Sequence, residues 1–190
     1  MNTPDTAPTP NLTPKPSGPG KTGKGSMSAL PADVQKDLEQ VATLAKAQAQ
    51  KVFKKIPALG PVVWLMMTQA ATRHTLISDL EWRVMPALVL DQAKLYYRDG
   101  APVAYASWAK LSPDVAFSYR SAPHHLAASD WNCGSEIWLV DVFTPFGGGQ
   151  DVLKDLREQV FAGQEIHQLL PAAADSTLSK VLTWPAVSTK

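Results

Sequence analysis

Few residues in this chain join a reactive side chain to a setting that could use it. A proton acceptor that works near neutral pH without tuning is histidine, and the chain has four of them, His74, His124, His125 and His167. His124 and His125 fall in a polar loop and His167 in a late strand, whereas His74 stands between two apolar helical segments. There it can serve as a general base or as a helix-entry residue bonded to backbone. Asp141 is the only charge between Trp138 and Phe146, and an ionised carboxylate in an apolar strand is costly unless paired. It therefore needs a partner. It can orient a histidine and stabilise its protonated form, as carboxylates do in hydrolase triads, hold an incoming amine, or accept backbone N–H groups where the strand ends before Pro145. Ser107, within an alternating strand, is either a small packing residue or a hydroxyl reaching a reacting carbonyl. Cys133, the single cysteine, is read as a loop or buried thiol and not as a nucleophile, because no base is fixed near it by spacing.

These residues depend on elements that the hydrophobic pattern outlines. Val34, Leu38, Val41, Ala45, Ala49 and Val52 recur every three or four positions, which predicts an amphipathic helix over residues 28–57. Its apolar seam either lies on its own domain or pairs with a second copy of the chain. Lys51, Lys54 and Lys55 crowd its C-terminal end, where they complement the helix dipole. Pro57 and Gly60 are expected to end that helix, and Val62–Ala70 to form a short, very apolar one entering the core. A further helix is expected over Leu76–Met85, stopped by Pro86. Lys94–Arg98 and Val103–Trp108 alternate around Asp99-Gly100 and predict a hairpin. Ser112-Pro113-Asp114 caps a helix running to about Tyr119. Ile137–Phe143 reads as a central strand buried on both faces. Gly147–Gly149 turns the chain into a helix over Asp151–Phe161, and Glu165–Leu170 and Leu178–Trp184 give two more strands. Helices alternating with strands indicate an α/β layered domain, assigned to residues 58–186.

Composition removes several function classes. Lys plus Arg number 18 against 17 for Asp plus Glu, so no global field favours a nucleic acid. One cysteine cannot build an internal disulfide or a thiolate metal site, and no metal is expected. Residues 1–27, rich in Pro, Thr, Gly, Ser and Lys, contain too few large apolar side chains to offset ordering entropy and read as a disordered tail. Within them Gly20-Lys21-Thr22-Gly23-Lys24-Gly25 hints at a phosphate loop but lacks the preceding strand and the full glycine spacing. No secretory signal and no run of about 20 apolar residues is found, so the expectation is a cytoplasmic protein with no membrane insertion.

Four segments, in order and at matching separations, resemble the RTX toxin-activating lysine acyltransferases of the haemolysin-activating type. They are Leu59-Gly60-Pro61-Val62-Val63-Trp64-Leu65-Met66-Met67, Pro102-Val103-Ala104-Tyr105-Ala106-Ser107-Trp108-Ala109, Asp130-Trp131-Asn132-Cys133-Gly134, and Trp138-Leu139-Val140-Asp141-Val142-Phe143-Thr144-Pro145-Phe146-Gly147. The resemblance implies a fold like that of the Gcn5-related acetyltransferases, a mixed sheet flanked by helices. It also implies transfer of a fatty acyl group from acyl carrier protein to an internal lysine of an RTX-type protoxin, with no dissociable cofactor besides that donor.

In such a family a histidine near the start of the domain and an aspartate before the Pro-Phe-Gly turn form the catalytic pair. Asp141 matches the aspartate. Alignment on Trp64 and Pro86 without gaps places Thr72 at the histidine position and His74 two residues beyond it. The expected site is thus His74 and Asp141 as catalytic residues, with Ser107, Trp108, Trp138 and Arg73 contacting substrate. Trp108 and Trp138 would line an acyl channel, and Arg73, Arg83 and Lys110 would dock the acidic carrier protein. The chemistry fits: a lysine ammonium has no lone pair until it loses its proton. The rival reading is a non-catalytic interaction protein that keeps the acyltransferase fold without the histidine.

Overall fold

The computed structural model describes residues 31–121, 125–170 and 180–187. The tail expected over 1–27 and the phosphate-loop-like segment lie outside them. The chain divides into two compact units, Met1–Ala42 and Thr43–Lys190. The first contains, among the described residues, the opening turns of helix α1 (Ala32–Thr68), with Val34, Leu38 and Val41 exposed. In the second unit the seam residues Ala45, Ala49 and Val52 are exposed too, so this part of the seam is not buried against that unit.

The expected break at Pro57 and Gly60 does not occur, since α1 runs through Pro57, Gly60 and Pro61. Each interior proline removes a ladder donor and costs roughly 3 kcal/mol. What offsets this is the burial of Val62, Leu65 and Met66 against Val84, Leu88, Tyr105 and Phe143, at roughly 1.5–3 kcal/mol per large apolar side chain. A 3₁₀ turn (Ile77–Asp79), α2 (Leu80–Arg83) and α3 (Met85–Val89) follow. Pro86 does not stop a helix, as expected from sequence, but sits in the first turn of α3, where a missing N–H is no loss.

Strands β1 (Ala93–Arg98) and β2 (Ala101–Leu111) form the hairpin. Its turn residues Asp99 and Gly100 take φ of 51° and 80°, the left-handed pair a tight two-residue hairpin requires. Helix α4 (Pro113–Ser121) begins with the Ser112 hydroxyl accepting the Val115 N–H. Strand β3 (Glu136–Phe143) is followed by α5 (Gly149–Asp155), a π-helical turn (Leu156–Val160), β4 (Ile166–Leu170) and β5 (Lys180–Trp184). The sheet order is β1-β2-β3-β4-β5. All neighbours are antiparallel except β3 and β4, which are parallel. The sheet is therefore mixed and β3 is central, as expected.

Each face of the sheet has its own core. On one, Ala104, Ala106, Trp108, Ile137 and Leu139 pack with Val152, Leu156 and Phe161 from α5 and the turns after it. On the other, Tyr105 and Phe143 meet the end of α1 and α3, while Ala109, Leu111 and Trp138 meet Ala87, Ala116, Tyr119 and Trp131. The α/β layering inferred from the sequence is thus a sheet between α5 on one side and α1 to α4 on the other.

Candidate active site

Strict alternation along β3 would send Ile137, Leu139 and Asp141 to the same face, that of α5. The ladder prevents this. Ser107 pairs with Asp141 and Trp108 with Leu139, so Val140 has no counterpart in β2, a β-bulge that re-aims the side chains after it. Beyond the bulge Val142 packs against the α5 core and Phe143 against α1. Asp141 is thereby turned toward α2.

There the carboxylate, 6% exposed, accepts two hydrogen bonds from one guanidinium. Arg83 Nε donates to Asp141 Oδ2 at 2.8 Å and Nη2 to Oδ1 at 2.5 Å. The planar fork of arginine matches a carboxylate at two points, which makes such pairs short and strong. Arg83 in turn has its pKa raised, first by the hydrogen bonding to Asp141, with desolvation opposing and the charges of Asp141 and Asp79 adding to it. The guanidinium also lies 5.7 Å from the Phe143 ring centroid.

α2 is held from its N-terminal side. Asp79 Oδ2 accepts the Leu76 N–H at 3.2 Å, and Oδ1 accepts the Trp82 indole N–H at 3.3 Å. His125 stacks on that indole with centroids 3.5 Å apart. On the floor, Tyr105 and Ser107 are fully buried, and neither hydroxyl has a hydrogen-bond partner. Burial lifts the Tyr105 pKa far above its ordinary range, opposed by the Ser107 hydroxyl, which lies beside it without reaching hydrogen-bond geometry.

The turn after α1 is tied to the same region. Gln69 Oε1 accepts the N–H of Thr144, the residue after β3, at 3.0 Å. On that turn Thr72 is buried, its hydroxyl donating to Met66 O at 2.9 Å, while Arg73 and His74 are exposed. The position expected from the sequence to match the family histidine thus faces inward and bears threonine. Among the described residues no hydrogen bond or ion pair joins His74 to Asp141, whose two oxygens each accept a bond from the guanidinium. Nor do Trp108 and Trp138 line one channel: they belong to separate cores on opposite faces of the sheet. Cys133 is exposed, and its Sγ accepts the Ser112 N–H at 3.2 Å. His167 lies by Thr183 and Glu165, stacked on Trp138.

Arg83 as the partner of Asp141 escaped the sequence reading, which placed it among carrier-docking residues. The signals were there: a buried carboxylate in need of a counter-charge, and an arginine between apolar Leu80 and Val84. Among the described residues no cluster of three or more His, Cys, Asp or Glu could hold a metal ion, and no helix is long and apolar enough to cross a membrane.

The family model for the RTX toxin acyltransferases matches residues 51–185. The chain is similar to the RTX-II toxin-activating lysine-acyltransferase of Actinobacillus pleuropneumoniae, 37% identical over 101 residues, covering 53% of this chain and 63% of that protein. It resembles a lysine-acyltransferase of Vibrio cholerae at 32% identity over 124 residues, covering 64% of this chain and 76% of the other. It also resembles a protein-lysine palmitoyltransferase of Bordetella bronchiseptica at 36% identity over 106 residues, covering 54% of this chain and 57% of the other.

Proposed function

The chain belongs to the RTX toxin acyltransferase family, and from that premise we propose that it transfers a fatty acyl group from acyl carrier protein to an internal lysine of an RTX-type protoxin, in the cytoplasm. The observation that carries this reading is Asp141, at the position expected for the family's aspartate, a nearly buried carboxylate turned by a bulge toward Arg83. A strand residue meant only for packing would not be a carboxylate, since burying one requires a dedicated counter-charge.

In the reaction the neutral lysine amine attacks the thioester carbonyl. The C–N bond forms, the C–S bond breaks, and the thiolate of the carrier leaves and is protonated. The acceptor must first give up its ammonium proton. We assign that step to His74, on the exposed turn, and to Asp141 the placing of the amine through the lone pairs that Arg83 leaves open; a carboxylate offers about four acceptor sites. Arg73 would contact the carrier protein, whereas Ser107, expected from the sequence to reach the thioester oxygen, is fully buried and is not offered to substrate. The test is acylation of a purified protoxin by the full chain with myristoyl- or palmitoyl-loaded carrier protein, read by mass spectrometry at the acceptor lysine. No transfer with either donor overturns the reading.

Two observations favour a second reading, a non-catalytic interaction protein with the family fold: Thr72 is buried at the histidine position, and Asp141 is already paired. Stable binding of protoxin or carrier protein without transfer is its signature.

A further inference from the structure

We propose that Arg83 is the positioning residue for this chain's transfer step, holding the Asp141 carboxylate in place and supplying its counter-charge so that a charged histidine beside it is not needed. This rests on the acyltransfer reading above. A histidine–aspartate pair gives a buried carboxylate its counter-charge only while the imidazole is protonated. A guanidinium supplies it at every working pH. Here that guanidinium bonds both oxygens, from a helix anchored through Asp79, and the residue at the matching histidine position is a threonine whose hydroxyl is spent on Met66 O.

The fork also fixes direction. With two oxygens held by one guanidinium, Asp141 keeps a single orientation, opposite Ser107 in the ladder. The titratable and charged groups that bear on the pair are Asp79 from the turn before α2, Tyr105 from β2 and Tyr119 from α4. Both tyrosines are raised by burial and stay neutral across the working range, and Asp79 only reinforces the charged guanidinium. A carboxylate that loses its counter-charge while staying buried takes up a proton more readily.

The experiment measures kcat/KM for acylation of a protoxin by myristoyl-loaded carrier protein, with wild type, Arg83→Gln and Arg83→Lys, between about pH 6 and pH 8.5, alongside thermal unfolding of each. The expected result is a deficit for Arg83→Gln of roughly tenfold or more at the acid end that shrinks as pH rises, as expected for a buried carboxylate deprived of its counter-charge. Arg83→Lys, which restores the charge but not the fork, should remove the pH dependence while leaving part of the deficit. A deficit equal at all pH values and tracking only the loss of Tm would make the pair merely structural and overturn the proposal, as would full activity of a folded Arg83→Gln. Should that variant fail to fold, Arg83→Lys decides alone: wild-type kcat/KM throughout overturns the proposal, and a deficit at unchanged Tm supports it. Inactive wild type would instead overturn the acyltransfer reading, and the positioning role with it.

Discussion

Ser107 and Asp141 face each other across the β2–β3 ladder, and the next pair toward the sheet's other end, Trp108 with Leu139, skips Val140. That one unpaired residue decides on which face of the sheet Asp141 emerges. With Val140 left unpaired, the carboxylate meets Arg83; with Val140 paired in turn, the period-two alternation of a strand would bury the charge in the apolar core formed with Val152, Leu156 and Phe161.

Deletion of Val140 removes the bulge but leaves Ser107 opposite Asp141 and Trp108 opposite Leu139, so regular alternation then keeps Asp141 on the Arg83 side and Val142 and Phe143 on their present faces. The deletion is therefore expected to cost little more than the packing of Val140 itself, about 1–2 kcal/mol, as for Val140→Ala. Urea unfolding of the two variants makes the comparison. A loss on deletion larger by about 3–5 kcal/mol, the typical cost of parting a buried pair, would show that Asp141 needs the bulge to reach Arg83.

A second expectation concerns acid stability. Asp155 accepts hydrogen bonds from Lys94 Nζ at 2.6 Å and from Tyr96 Oη at 2.7 Å. Burial tends to raise its pKa, but the bonds from Lys94 and Tyr96 outweigh this and hold it below the ordinary 3.8. A carboxyl whose folded pKa is depressed contributes stability that is complete above its ordinary value and disappears as pH falls through the folded one. Asp155→Asn should accordingly cost about 1 kcal/mol or less near neutrality, given that the pair is partly solvent-screened. The difference from wild type should close below the ordinary value of 3.8. Tm measured against pH for both proteins tests the sign.

For the carrier protein, Arg83 is removed from the docking candidates by its bonds to Asp141. Arg73 and Lys110, both exposed, remain. Charges at a rim act chiefly on association rate and its salt dependence. Arg73→Glu with Lys110→Glu should raise KM for the carrier protein and flatten its ionic-strength dependence while kcat changes little. An unaltered salt dependence would place the docking surface elsewhere.

Much of this fold could be read from periodicity because the strands alternate cleanly and the turns carry their own chemistry. Asp99-Gly100 specified a hairpin, and the apolar run of β3 specified a central strand. The misreadings have one cause, tertiary burial overriding a local breaker: Pro57 and Pro61 sit inside a helix that Leu65 and Met66 anchor, and Pro86 opens a helix instead of closing one. At the site, the sequence indicated that Asp141 requires a partner but not which one. Partner choice depended on Val140, a bulge residue indistinguishable in sequence from its strand neighbours, and on an arginine 58 positions away. The exposure of His74 and the burial of Thr72 follow from the geometry of a tight turn after α1, which two residues' difference in register reverses.

That difference in register makes the decisive experiment a comparison of His74 with Thr72. Removing a general base typically lowers rate about 10²–10⁴-fold. His74→Ala, exposed and without a described bond, should leave Tm unchanged and abolish most lysine acylation if His74 takes the ammonium proton. Asp141→Asn should lower both activity and Tm, because it strips Arg83 of its counter-charge. Residues that act in one step are non-additive, so the double variant His74→Ala with Asp141→Asn should be little slower than the worse single one. Thr72→Ala leaves the Met66 carbonyl without its donor and should cost about 1 kcal/mol with a mild effect on rate. Mass spectrometry at the acceptor lysine, beside thermal unfolding, separates these outcomes. Full activity of His74→Ala would remove the histidine from the mechanism. Rate losses of Asp141→Asn and His74→Ala that simply multiply would show that the two do not share a step.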